Sequence, residues 1–169
     1  MRKLLTAFLL SVVMAVSACG TPAEVVKYSE NILFSIDHGA PGFGTQAQCA
    51  DAEIYVHTDK TARVFMISTD YKEYIEISRV ELSDKDYEKL EELCAPEKIK
   101  AIKTRETDAT DGSSYHITLY GENDEQIFST GGYMPEGKEF WETRDAVLEI
   151  LFSYGIHDTV VEYRKTLEG

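Results

Sequence analysis

The chain has 169 residues, of which 43% are apolar, 28% charged and 11% aromatic. That is enough for one core of ordinary size and too little for two substantial domains with linkers. Thirty Asp and Glu against seventeen Lys and Arg leave a formal charge of −13, which argues against a nucleic-acid binder working through a basic face. The main apolar run is at the extreme N-terminus, which argues against a polytopic membrane protein, and the aromatic and apolar content does not suit a disordered chain.

Residues 1–20, MRKLLTAFLLSVVMAVSACG, begin with Arg2 and Lys3, continue through an apolar stretch from Leu4 to Val16 and end in small residues. That is the anatomy of an export signal. The apolar stretch is shorter than the ~20 residues a helix needs to span a bilayer. Val16-Ser17-Ala18-Cys19 resembles the lipobox of bacterial lipoproteins. The resemblance implies a signal peptide over 1–18, cleavage before Cys19, a diacylglyceryl group on the Cys19 thiol and usually an acylated new N-terminus. Two or three acyl chains anchor stably where one is marginal. The protein is then expected on a cell membrane, at its extracytoplasmic face, with residues 19–30 as a short tether. Loss of Arg2 and Lys3 with the signal shifts the charge from −13 to −15, so an anionic leaflet repels the domain instead of binding it.

Lipidation of Cys19 leaves Cys49 and Cys94 in an exported context where disulfides are permitted. They are expected to form a bridge, which would stabilise by about 4 kcal/mol in the chain-entropy model, or else to sit as two separate buried thiols.

Residues 31–169 are expected to form one α+β domain. NILFSID (31–37) is a predicted strand, and GAPGFGTQ (39–46) a Gly- and Pro-punctuated loop. In AEIYVH (52–57) the apolar Ile54 and Val56 alternate with Glu53, Tyr55 and His57, as in a half-buried strand. A turn at 58–61 leads to RVFMIS (63–68), apolar in both phases and therefore expected to be central. EYIEISRV (73–80) returns and completes a meander. Ser83 followed three residues later by Asp86 has the form of a capping box, and Tyr87, Leu90 and Leu93 follow at helical spacing until Pro96. IKAIKTRE (99–106) is a predicted strand, as are YHITLY (115–120) and QIFSTGG (126–132); a last helix covers about 138–154. Strand, turn, strand and helix thus occur twice, without enough identity to mark a duplication. The expected architecture is a mostly antiparallel sheet with two helices packed on one face. For 158–167 both helix and strand remain open, since Asp158 suits a helix start and Val160-Val161 a strand.

Motifs for metal, hydrolase and nucleotide chemistry are missing: there is no Cys-x-x-Cys, His-Glu-x-x-His, Gly-x-Ser-x-Gly or Walker loop. The glycines from Gly39 to Gly44 lack a following helix to cradle phosphate. Asp108, Asp111 and Gly112, and the run from Glu122 to Glu125, miss the spacing of a calcium loop and read as solvated turns. His57 and His116 both fall in the polar phase of predicted strands, where a pair across neighbouring strands could bind metal or exchange protons; His38 and His157 each sit beside an Asp in loops. Tyr55, His57, His116 and Tyr120 form the candidate binding face. On the last helix, Phe140, Val147, Leu148 and Leu151 share one side with Arg144 near its middle. A buried guanidinium needs a partner, and a sheet Glu or Asp is the expected one, with an anion site as the alternative.

Tyr115-x-Ile117-x-Leu119, Gly131-Gly132-Tyr133-x-Pro135 and Phe140 leading into a helix resemble a pattern in small α+β proteins and lipoproteins of Gram-positive bacteria. The resemblance implies a fold and no assigned activity. The expected role is a membrane-anchored, non-enzymatic interaction module with an envelope protein as partner and no cofactor. The alternative is a small-ligand binder or enzyme using exposed His and carboxylate residues.

Overall fold

Alternation of apolar and polar residues becomes a single sheet. The computed structural model describes residues 32–38, 49–68, 73–108 and 112–167. In chain order these form β1 (Ile32–Asp37), β2 (Cys49–His57), β3 (Thr61–Ser68), β4 (Tyr74–Glu81), α1 (Asp84–Leu93), α2 (Pro96–Ala101), β5 (Ser114–Tyr120), β6 (Gln126–Tyr133), α3 (Lys138–Phe152) and α4 (Ile156–Leu167). The six strands pair antiparallel in the order β4-β3-β2-β1-β5-β6, so the chain is α+β and mostly sheet. Among the described residues no helix is long and apolar enough to cross a membrane.

One phase of each inner strand enters the core: Phe34 and Ile36, Ile54 and Val56, Val64 and Met66, Ile117 and Leu119. Leu90, Ile99, Phe140, Leu151, Ile156 and Val160 of the helices belong to the same cluster. Burying each large side chain contributes about 1.5–3 kcal/mol. β3 is internal, as its double apolar phase suggested, paired on both sides by β2 and β4 and second from the edge. Its off-core Phe65 packs edge-on to Tyr55, with ring centroids 5.4 Å apart, so no second layer is needed to cover it.

Ser83 caps α1 as expected, its Oγ accepting the Asp86 N–H at 3.2 Å. The return arm runs through Tyr154: the Ser83 N–H donates to its hydroxyl at 2.8 Å, and that hydroxyl donates to Asp86 Oδ2 at 2.7 Å. This ties the start of α1 to the end of α3.

Residues 99–106 are not a strand. Pro96, expected only to stop α1, is the first residue of α2, where its missing N–H leaves nothing unsatisfied. Ile99 is fully buried and Lys98 and Lys100 sit favourably in the last turn. Of the expected strand only a single bridge, Arg105 to Glu136, remains. The segment 158–167 is helical, with Ile156 and Val160 buried one turn apart.

Candidate functional site

The phase of the sheet opposite the core carries Ser35 and Asp37, Glu53 and Tyr55, His116, Thr118 and Tyr120. The register sets Ser35 across from Tyr55 and Thr118, and Asp37 across from Glu53. Tyr55 donates to Glu53 Oε2 at 2.6 Å and Ser35 Oγ to Glu53 Oε1 at 2.7 Å. Because the single Ser35 proton goes to Glu53, the Tyr120 hydroxyl 3.2 Å away is the donor to Ser35 Oγ. A hydrogen-bonded chain Tyr120–Ser35–Glu53–Tyr55 therefore crosses β5, β1 and β2, holding the two phenol rings with centroids 6.1 Å apart. Burial raises the Glu53 carboxyl above its usual range, and its two hydroxyl donors partly counter this.

Beside this chain Asp37 Oδ2 accepts the His116 backbone N–H at 2.9 Å and faces His116 Nδ1 at 3.1 Å. The bond to Asp37 raises His116 above an ordinary imidazole and, in the neutral ring, places the proton on Nδ1 and leaves Nε2 as acceptor. Asp37, Glu53, Glu106, His116, Ser129 and Gly131 line a groove of ≈ 450 Å³. A smaller hollow of ≈ 210 Å³ lies among Tyr55, His57, Arg63, Phe65 and Tyr74. Arg63 lies over the Phe65 ring at 5.1 Å and pairs with Glu76. Bonds to Arg63, then Arg79, hold Glu76 down at about 2.

Burial, then the charge of Asp37, pushes Asp51 up to about 6, with Glu53 adding to the rise and Arg164 opposing it. A carboxyl that holds its proton more tightly when folded contributes stability that is complete below about pH 4 and lost as pH rises through 6. Asp51→Asn keeps an acceptor for the Ala52 N–H now bonded to Oδ1 at 2.8 Å. It is expected to stabilise the fold by roughly 3 kcal/mol at pH 8 and by nothing measurable at pH 4, since a tenfold difference in proton affinity corresponds to about 1.4 kcal/mol. Urea unfolding at the two pH values checks this; equal differences at both would contradict it.

Tyr55, Tyr120 and His116 of the expected face are thus brought together. His57, buried at 9% exposure, lines the smaller hollow with Tyr55 but stands apart from His116. β1 separates β2 from β5, and His57 pairs with Ile32 while His116 lies by Asp37, five residues along β1, about 17 Å away. The two histidines do not form a pair. Ser35, Asp37 and Glu53 complete the site and carry no motif in the sequence. Their signal is the polar phase of NILFSID and of the strand around AEIYVH.

Arg144 is buried as expected, at 8% exposure, but its partners are not sheet carboxylates. It donates from Nη2 to the backbone carbonyls of Asp37 and His38, both at 3.2 Å, and sits against the rings of Tyr115 and Trp141 at 4.8 and 5.5 Å. Among the described residues its ion pair is with Asp145 on its own helix, Nη1 to Oδ1 at 3.7 Å. The Asp37 carboxylate points into the opposite phase, where His116 holds it, so only the main chain of β1 is offered to α3.

Cys94 is fully buried at the C-cap of α1, and burial raises its thiol. Cys19, the side chain of Cys49, the loop from Gly39 to Gly44 and Asp111 lie outside the described residues. The carboxylates of the 121–125 turn serve the backbone: Asp124 Oδ1 accepts the Ile32 N–H at 3.1 Å and Glu125 Oε2 the Asn123 N–H at 2.8 Å. Among the described residues, no three His, Cys, Asp or Glu side chains are gathered as a metal site. No protein-family model, no curated protein and no solved structure matches the chain.

Proposed function

We propose that this chain is a bacterial lipoprotein, anchored through Cys19 at the extracytoplasmic face of the cell membrane, which recognises an envelope protein through the polar face of its sheet. The reading rests chiefly on the Tyr120–Ser35–Glu53–Tyr55 chain. It fixes two amphipathic rings side by side next to an open groove, and rigid tyrosines with polar tips lose little entropy on binding. The helices gather on the other face in this reading, supported by a single core cluster that joins residues of α1, α2, α3 and α4 to one phase of the strands. That leaves the polar face open to a partner. With a charge near −15 after cleavage, the partner surface is basic and the association weakens as salt rises.

The proposal is tested by affinity capture of the anchored protein after chemical cross-linking on intact producing cells. A partner recovered at near-equal amount, released by salt and lost on changing Tyr55 and Tyr120 to Ala, is the expected result. Recovery of the same partner by the double variant, or of no partner, would refute it. A second reading, a ligand-binding or proton-transfer site, draws on the Asp37–His116 pair, whose Nε2 could accept a proton from a bound molecule.

A further inference from the structure

The histidines that the fold does bring together are His38 and His157. His38 follows β1, and His157 is the second residue of α4, 119 positions later. Their Nε2 and Nδ1 atoms lie 3.2 Å apart, with ring centroids at 5.3 Å and planes 17° apart. Phe152 flanks both rings, at 5.2 and 5.1 Å. The pair borders a cavity of ≈ 340 Å³ that Arg144, Asp145 and Glu149 also line.

Two imidazole nitrogens on one tetrahedral zinc ion, each 2.0–2.1 Å from it, lie about 3.3 Å apart and their ring centroids about 5.2 Å apart. The observed separations are within about 0.1 Å of both. We propose that His38 and His157 bind a borderline divalent transition-metal ion, zinc first, in this cavity. Imidazole suits zinc, nickel and copper, and calcium or magnesium would instead require a cage of oxygen atoms. Asp145 and Glu149 line the same cavity and make its charge less positive; the two imidazoles are the protein's ligands, and water completes the shell. Without an ion the two rings share one N–H···N hydrogen bond, so binding replaces a proton by a metal at nearly unchanged ring positions. The Arg144 charge nearby opposes the ion. It is offset by Asp145 and Glu149, and Arg144 is itself tied to the His38 carbonyl at 3.2 Å. A bound ion would clamp the end of β1 to α4, next to Asp37, without using any side chain of the polar sheet face.

Calorimetric titration of zinc chloride into the full chain in detergent tests the site, alongside His38→Ala and His157→Ala. His157 is exposed, so its replacement leaves the fold intact. One ion per chain is expected, bound at least tenfold more weakly by either variant, with zinc raising the melting temperature of the unaltered protein only. Cobalt in place of zinc separates imidazole from thiolate ligation, because only thiolates add a sulfur charge-transfer band. Absence of saturable binding, equal binding by the variants, or a thiolate band on cobalt would overturn the proposal.

Discussion

Replacing Gly131 by Ala is expected to destabilise the protein by about 4 kcal/mol, combining a strained backbone with overpacking. Gly131 lies in β6 at φ 125°, and a Cβ there would stand 1.9 Å from the Tyr115 carbonyl oxygen. Neither atom can retreat cheaply. The oxygen belongs to β5, and Gly131 pairs with His116 in the same ladder, while its own carbonyl accepts the Thr104 hydroxyl at 2.9 Å. Relief requires parting β6 from β5 at the floor of the groove. Gly155 provides the comparison: its φ is 79°, yet nothing lies within 4 Å of an added Cβ, so Gly155→Ala is expected to cost about 1 kcal/mol. Urea denaturation of both variants checks the difference. Similar losses would mean that the contact with Tyr115 does not govern Gly131.

Arg144→Ala is expected to cost about 3 kcal/mol. Charge-assisted hydrogen bonds contribute about 1.5–3 kcal/mol and a desolvated cation–ring contact up to about 2 kcal/mol. Against this stands the penalty for burying the guanidinium, which pulls its own pKa down. Arg144→Met keeps the apolar stem and escapes that penalty, so its loss is expected to be nearer 1 kcal/mol. The alanine variant also removes the tie on the Asp37 carbonyl, loosening the carboxylate that holds His116. The His116 pKa, raised by Asp37 in the intact protein, should fall toward the ordinary imidazole value. An imidazole titration followed by NMR reads this directly, and an unchanged His116 would show that the two faces of β1 are not coupled through Arg144.

β2 and β5 were legible because their alternation is clean, β1 and β6 as short apolar or β-branched runs bounded by turn residues, and α1 because Ser83 and Asp86 mark its start. α3 was legible from the spacing of Phe140, Val147 and Leu151, which are all fully buried. α2 was not, because PEKIKA is short and its Lys and Ile alternate as they would in a strand. Only the burial of Ile99 and the position of Pro96 decide for a helix. The location of Arg144 could be read from helical phase, but not its partners, since backbone carbonyls leave no mark in a sequence. The histidines show the same limit. Phase puts His57 and His116 on one face, yet the insertion of β1 between β2 and β5 separates them. A side-chain contact between the start of α4 and the residue after β1 unites His157 with His38 instead. Ser35 and Glu53 became a site only once the register placed Ser35 beside Tyr55 and Asp37 beside Glu53.

The most direct test of recognition through the sheet is a photo-activatable side chain placed at Tyr55, at Tyr120 and, on the helices, at the exposed Glu88 and Glu162, with illumination of intact cells. A discrete adduct of one mass from Tyr55 and Tyr120, absent from Glu88 and Glu162, is the predicted result. An adduct from the helix positions alone, or none from the two tyrosines, would contradict it.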